Sequence, residues 1–346
     1  MKPLFRAFGI FVTALTISTA AGASANIDTQ ARVLWHQDIA AGYQNLAKQT
    51  RALAEQADSW CQEPAALNRD SVDQLWLDSF RAWQAVRFVD FGPIETDNRA
   101  WQFQFWPDPK NLIARKARYL LTSDQAPTAG TIADSGVAVQ GFPMAEYLLF
   151  DEQLNSTDRA LPAQRTCRAL VLVAGHIADN SAQQLQDWQA FEDAYVANEQ
   201  YRDTTIKAGM AALEILEERR MAQPMGLRGT GKRSVYTADA WRSGQSLAAI
   251  EATVRGLQEH FLPGLVLLLE LSDQPELAGR IEQQFIEVLK NFPAMRTPMA
   301  PLLSNDEAFA RLQGLYVDIS QLTNLVNDQA AVALGVVRGF NSSDGD

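Results

Sequence analysis

The stretch Gly141-Phe-Pro-Met-Ala-Glu-Tyr-Leu-Leu-Phe150 combines a glycine that can interrupt regular structure, a proline typical of a helix start and one acidic residue with an unbroken apolar run. Gly141 can adopt dihedral angles closed to other residues, and Pro143 suits the first turn of a helix, where its missing N–H is not needed. The pattern predicts that Pro143 takes the first helical position and that Glu146 lies in the first turn. Free N–H groups and the helix dipole favour a carboxylate there, so Glu146 has a purely structural interpretation.

Helical spacing of apolar residues recurs on both sides of this stretch. Ahead of it we expect a long helix over 28–58 and a second helix that begins at a capping box in 71–74 and stops at Gly92-Pro93. A third helix is expected to follow Asp108 as N-cap, with Pro109 at the first helical position. Beyond the stretch, helical patterns cover 163–187, 201–220, 246–262, 275–291 and 305–334.

Alternating strand patterns are nearly absent, so the sequence predicts an all-α protein. The helical pattern restarts at residue 201, which divides the mature chain into two helical bundles over 26–200 and 201–346. The paired features Trp76/Arg81 and Trp241/Arg242 hint that the two bundles arose by duplication.

The segment 101–109 alternates aromatic and polar residues and then breaks twice at proline. It has the pattern of a short strand or of an extended aromatic wedge. Four aromatic side chains this close together usually fill a core, which is the expectation here. A surface on which a ligand stacks is the alternative.

Residues 1–25 have the pattern of a secretory signal peptide. Lys2 and Arg6 supply the positive start, 8–17 the apolar core, and Ala23-Ser24-Ala25 a small-x-small cleavage site, which predicts cleavage near Ala25/Asn26. No later run of about 18 apolar residues predicts a transmembrane span. The expected location is the periplasm, with the external medium as the alternative.

Net charge and cysteine content limit the possible partners and the possible roles of the two cysteines. Removing Lys2 and Arg6 changes the net charge from −11 to −13, which argues against a nucleic acid as partner and permits attraction of cations. Cys61 and Cys167 are the only cysteines, and a pair in a secreted chain indicates a disulfide rather than a metal site. Two free thiols are the alternative.

Four segments resemble the imelysin-like family of bacterial envelope proteins. They are the stretch at 141–150, Phe105-Trp106-Pro107-Asp108, Trp241-Arg242-Ser243 and the closing segment 339–346, which composition alone would describe as a frayed tail. The family signature is Gly-x-His-x-x-Glu, and Pro143 stands where its histidine belongs. The chain is most similar to the branch named for an insulin-cleaving membrane protease homologue, in which that histidine is not kept.

The resemblance implies two domains built like four-helix bundles, an envelope location and a role linked to iron uptake. It also carries a metallopeptidase label. A hydrolytic metal centre needs about three protein ligands and a base, and Pro143 can neither bind metal nor move protons. None of His36, His176 and His260 has a glutamate at helical spacing that would rebuild a ligand pair.

Three hypotheses about function follow. The first is a non-catalytic binding protein for iron or an iron carrier, or one that contacts an envelope component of iron transport. The second is a metal-dependent peptidase, and the third is a structural role in the envelope. Glu146 and Asp344 are expected to bind iron or another divalent cation, with an ordered tail near Glu146. The binding residues expected around the groove between the bundles are Gly141, Pro143, Glu146, Trp106, Asp108, Arg242, Asn341 and Asp344.

Overall fold

The chain folds into helices, as the sequence predicted, and no strand occurs among the residues that the structure describes. That structure is a computed structural model describing residues 18–337, with side chains from residue 27 onward. Most of the expected signal peptide and the tail from residue 338 lie outside this part. Within it, no helix is both long enough and apolar enough to cross a bilayer.

The longest helix organises the packing of the others. Helix α1 (Ser18–Gln62) packs against α2 (Asp70–Val86), α8 (Gln164–Ala190) and α12 (Leu262–Leu271). Its apolar residues recur every three to seven positions and therefore form one stripe, which is fully buried. That stripe consists of Trp35, Ile39, Tyr43, Leu46 and Leu53.

Short helices complete the first half of the chain: α3 (Arg99–Phe103), α4 (Leu112–Thr122), α5 (Ala129–Asp134), α6 (Gly141–Phe150), α7 (Glu152–Asn155) and α9 (Glu192–Ala197). The second half contains α10 (Gln200–Glu214), α11 (Ser246–His260), α13 (Pro275–Lys290), α14 (Met299–Ser304), α15 (Asp306–Asn324) and α16 (Ala331–Ala333). π-Helical turns follow α10 at Ile215–Ala222 and α15 at Leu325–Ala330.

The predicted disulfide is confirmed. Cys61 near the end of α1 is bonded to Cys167 near the start of α8, with Cα atoms 5.5 Å apart. The bridge closes a loop of 106 positions and fixes α8 against α1.

The two halves of the chain share a continuous core. Helix α2 lies so close to α11 that a Cβ added to Gly256 would stand 2.1 Å from the carbonyl oxygen of Ala85. Only a residue without a side chain permits this approach. The boundary at residue 200 and the origin by duplication stay predictions.

Several predicted helix ends are wrong. Helix α2 begins at Asp70, so Ser71 is already helical and cannot form the expected capping box; Asn68 Oδ1 instead accepts the Asp70 N–H at 2.9 Å. The helix ends at Val86, well before Gly92-Pro93, and a separate 3₁₀ turn occupies Gly92–Asn98.

In the second half, α12 was not predicted. It is apolar on nearly all sides and therefore lacks the periodic signal by which a surface helix is recognised. The predicted helix 305–334 is interrupted by the second π-helical turn.

Candidate functional site

Helix α6 begins two residues earlier than predicted. Gln140 is its N-cap and Gly141 its first residue, so Pro143 is the third residue and Glu146 lies in the second turn. Gly141 has φ +71°, and a Cβ there would stand 2.3 Å from the carbonyl oxygen of Phe103. The glycine therefore sets the start of α6 tightly against the end of α3, and the dipole explanation of Glu146 is wrong.

Glu146 is held by a distant loop instead. Its side chain is buried, and both the backbone N–H and the hydroxyl of Ser243 donate to Oε1 at 2.8 Å. Burial raises the pKa of Glu146 to about 7, although the two Ser243 donors and the positive charge of Arg242 act in the opposite direction. The acid of α6 therefore bridges two segments that are 97 positions apart in the sequence.

The guanidinium group of the neighbouring Arg242 is hydrogen-bonded to two other segments of the chain. Its Nε donates to Asp151 Oδ2 at 2.9 Å, and its Nη2 donates to Asn111 Oδ1 at 3.1 Å. The guanidinium carbon also lies 4.3 Å from the ring centre of Trp241. These contacts prevent Arg242 from swinging freely and hold the loop before α11 over Glu146.

A buried charge cluster lies on the other side of the site. Arg220 Nη2 is 2.9 Å from Asp239 Oδ2, and both side chains are only 2% exposed; Arg87 Nη1 is 3.7 Å from the same oxygen. Burial and the charge of Arg220 lower the pKa of Arg87 to about 10, so it stays cationic at neutral pH. The π-helical turn at Ile215–Ala222 presents Arg220 to this cluster.

Gln104 connects this cluster to the aromatic core. Its Oε1 accepts from Trp83 Nε1 at 2.8 Å and from Gln84 Nε2 at 2.7 Å, which directs its Nε2 to donate to Asp239 Oδ2 at 3.3 Å. The orientation of Asp239 is thus supported from several helices.

These groups border a cavity of about 600 Å³, which we name the Glu146 cavity. Five of the predicted site residues line it, whereas Gly141 positions the helix without lining the cavity, and Asn341 and Asp344 lie outside the described residues. The lining includes the predicted Trp106, Asp108, Pro143, Glu146 and Arg242, together with Phe105, Tyr236, Asp239 and Trp241.

The aromatic segment 101–109 begins within α3, which contains Trp101 and Phe103, and has no regular secondary structure from Gln104 to Asp108. Only Phe103 is fully buried, whereas Phe105 and Trp106 are half-buried and line the cavity, and Trp101 is 46% exposed. The core interpretation is therefore right for Phe103 and for Phe105, which packs against the core, and wrong for Trp101 and Trp106.

Asp108 caps α4 from a greater distance than predicted. Its two carboxylate oxygens accept the N–H groups of Leu112 and Ile113 at 2.7 and 2.9 Å. The helix begins at Leu112, so Pro109 is not its first residue.

The donor set does not fit a hydrolytic metal centre. No group of three or more His, Cys, Asp or Glu side chains that could hold a metal occurs in the part of the chain with described side chains. None of the three histidines lines the cavity; His36, for instance, stacks on Trp188 and lies 2.9 Å from its carbonyl oxygen. The pairing of Glu146 with Asp344 stays a prediction.

A second cavity of about 700 Å³ lies between α2, α11 and the segment 292–298. Its charged side chains include Asp78, which is 3.7 Å from Arg81, and Glu251, which is 2.7 Å from Arg255. These pairs are partly exposed to solvent, whereas Glu146 and Asp239 are buried and the pKa of Glu146 is raised, so the Glu146 cavity is the stronger candidate for a binding site.

Sequence reasoning missed Asp239, Arg220 and Arg87, and it quoted Ser243 without assigning it a role. A local pattern could not have found them, since each acts on residues that are distant in the sequence. The one signal was Trp241-Arg242-Ser243, because Trp241 and Arg242 line the cavity and Ser243 donates to Glu146.

Comparison with known proteins identifies a matching family and solved structures with a similar fold. The peptidase-family model described as Imelysin matches residues 39–326. An imelysin-like protein from Psychrobacter arcticum is 23% identical, with a TM-score of 0.78, over 95% of this chain and 100% of that chain. An iron-regulated protein A precursor from Parabacteroides distasonis is 14% identical, with a TM-score of 0.65, over 90% of this chain and 96% of that chain. Because both sequence identities are below 25%, the two solved structures show only that the fold is shared. None of the curated proteins matches the chain.

Proposed function

The chain belongs to the imelysin family, and on that premise we propose that it is a non-catalytic binding protein of the cell envelope that serves iron uptake. Its ligand, which is iron or an iron carrier, occupies the Glu146 cavity. An envelope component of iron transport is the expected protein partner.

One observation carries the non-catalytic part of this proposal. Pro143 forms the cavity wall at the position where the family signature has histidine. A proline side chain has no lone pair for a metal and no exchangeable proton. Peptide hydrolysis requires an activated water and a group that transfers protons, and the described residues around Glu146 do not supply the ligands for a metal that would activate it.

The arrangement of the remaining groups supports binding. Glu146 and Arg242 are each held by at least two hydrogen bonds, so their positions are set before a ligand arrives. A preorganised site loses less conformational entropy when the ligand binds. The cavity volume of about 600 Å³ falls within the range of small-molecule sites.

The link to iron and to the envelope is supported by other observations. One structural neighbour is an iron-regulated protein A precursor, and residues 1–25 have the pattern of a signal peptide. The tail with Asn341 and Asp344 is included in the proposal as a further contributor to the site.

Insulin digestion and metal titration test this proposal. We expect no chelator-sensitive digestion of insulin by the wild-type protein, and we expect calorimetric titration with ferric citrate to show binding. Pro143→His, which restores a histidine three positions before Glu146, is expected to gain affinity for zinc or ferrous iron, whereas Pro143→Ala serves as the matched control.

The metal-dependent peptidase is the competing hypothesis, and the family name favours it. It requires that the wild-type protein digest insulin and lose this activity with chelator. That result would refute the non-catalytic proposal regardless of how the Pro143 variants behave.

A further inference from the structure

Arg87 and Arg220 line a further, much smaller cavity, which we name the Arg87–Arg220 cavity. Its volume is about 60 Å³, and its other walls come from α10 and α11. Asp239 lines the Glu146 cavity instead, so the ion pair between Arg220 and Asp239 stands between the two spaces. The small cavity is therefore separate from the site described above, although it shares a wall with it.

Both guanidinium groups keep buried N–H groups that have no hydrogen-bond acceptor among residues 27–337. These nitrogens are Arg87 Nη1, Arg220 Nε and Arg220 Nη2. Arg220 Nη1 is satisfied, because it donates to the hydroxyl of Thr253 at 2.7 Å. Buried donors are nearly always hydrogen-bonded in folded proteins, so the three unsatisfied nitrogens indicate an acceptor that the described chain does not supply.

The charges of the cluster show what kind of acceptor is missing. Arg87 and Arg220 share one carboxylate, Asp239, at 3.7 and 2.9 Å, which leaves one positive charge uncompensated. Asp239 Oδ1 also lacks a hydrogen-bond partner, but its charge is already counted in this pairing. A water molecule can accept from the free N–H groups but cannot offset the buried charge, whereas an anion does both.

Two further acidic groups lie near the cluster, and neither removes the excess of positive charge. Asp90 lines the Arg87–Arg220 cavity, but it is exposed, so solvent screens its charge. Glu146 interacts with Asp239 from the neighbouring cavity, and its pKa of about 7 leaves it mostly protonated at pH 6. At that pH the cluster therefore carries a net positive charge.

The size of the cavity limits the anion. One water occupies roughly 30 Å³ in the liquid, so a volume of about 60 Å³ accepts an ion of a few non-hydrogen atoms and no ring compound. The wall of α10 leaves this room because its lining residues there, Ala208, Ala211 and Ala212, have the smallest side chains that retain a Cβ.

We propose that the Arg87–Arg220 cavity binds a small monovalent anion, either chloride or a carboxylate as small as formate, which accepts from Arg87 Nη1 and Arg220 Nε. The bound anion holds Arg220 in place and through it Asp239, so it stabilises the wall between the two cavities. This inference does not depend on which ligand occupies the Glu146 cavity.

Thermal unfolding of the full chain at pH 6 tests the inference. Sodium gluconate, whose anion is too large for the cavity, is replaced stepwise by sodium chloride or sodium formate at constant ionic strength. We expect the unfolding midpoint to rise by roughly 2–3 °C for each tenfold increase in anion concentration above the Kd. The anion that produces the rise identifies the source of the charge.

Three variants locate the effect. Arg87→Gln leaves Arg220 and Asp239 as a neutral pair, and Ala212→Val fills the cavity without changing any charge; each is expected to abolish the rise. Arg219→Gln removes the same charge from an exposed position of the same π-helical turn, outside the cavity, and should keep it.

The inference is overturned if neither anion raises the midpoint of the wild type above its value in gluconate. It is also overturned if either folded cavity variant responds as strongly as Arg219→Gln, because the anion would then act elsewhere on the surface. Should Arg87→Gln fail to fold, the response of Ala212→Val decides.

Discussion

Glu146→Gln measures the free energy needed to hold a carboxylate inside the protein. Glutamine preserves the size of the side chain and the oxygen that accepts from Ser243, but it cannot ionise. Any pH-dependent difference in stability between the wild-type and variant proteins therefore comes from the ionisation of this one group.

The raised pKa of Glu146 sets the direction in which the stability of the wild type changes with pH. The unfolded chain releases the Glu146 proton near pH 4.5, whereas the folded protein keeps it until about pH 7. The stability that comes from the protonated form is therefore fully present below pH 4.5 and is lost as pH rises through 7. At about 1.4 kcal/mol per pKa unit, the wild type loses about 3 kcal/mol relative to the variant between pH 4.5 and pH 8.

Urea unfolding, followed by tryptophan fluorescence, provides the assay, because urea does not screen charges. We expect the free energy of unfolding of the variant to exceed that of the wild type by about 2–3 kcal/mol more at pH 8 than at pH 5. Glu152→Gln serves as the control and should show no such change. Equal differences at both pH values would refute the claim that Glu146 is held as a desolvated acid.

Three further changes have expected outcomes in the same unfolding assay. Gly141→Ala forces a Cβ against the carbonyl oxygen of Phe103 and should destabilise the protein by about 3 kcal/mol or more. The control is Gly175→Ala, a helical position where an added Cβ has no atom within 4 Å; it should be neutral or stabilise by up to about 1 kcal/mol. Equal effects of the two changes would contradict the close approach of α6 to the end of α3. Replacing Cys61 and Cys167 together by serine should cost about 4–5 kcal/mol by the loop-closure estimate, and two reactive thiols in the unreduced, denatured wild type would disprove the bridge. Asp239→Asn leaves the buried guanidinium of Arg220 and the half-buried guanidinium of Arg87 without a carboxylate and should cost about 3–5 kcal/mol; a loss under about 1 kcal/mol would mean that the cluster is not desolvated.

Local patterns were sufficient for the fold class and for much of the helix content. The stripe on α1 is visible because each helical turn brings the next apolar residue to the same side. The pairing of Cys61 with Cys167 needed no geometry, since the chain offers no other pair. The stripe depends on residues that are close in the sequence, and the disulfide follows from the number of cysteines.

The contacts of Glu146 depend on residues far away. A carboxylate near a helix start fits both a dipole and a buried hydrogen bond, and only the position of Ser243, 97 residues later, decides between them. The same holds for Asp239, whose partners are Arg87, directly after α2, and Arg220, in the turn after α10. Sequence spacing cannot report which loops meet in space.

The aromatic segment failed for a related reason. Its composition favoured burial, yet whether a ring enters the core depends on the path of the chain between prolines. Phe105 packs against the core, whereas Trp106 lines the cavity beside Arg87, and the alternative of a surface for ligand stacking stays a prediction.

The π-helical turn at Ile215–Ala222, which continues α10, makes the site sensitive to the deletion of a residue from this helix. The Gln223 N–H donates to the carbonyl of Glu218, five residues back, so the turn contains one residue more than an α-helix requires. Loss of a single codon here would restore regular backbone bonding, yet it would remove the wider turn by which this segment presents Arg220 to Asp239. Arg220 would then leave Asp239. Over evolutionary time this segment should accept substitutions on its exposed face more readily than any change in residue number.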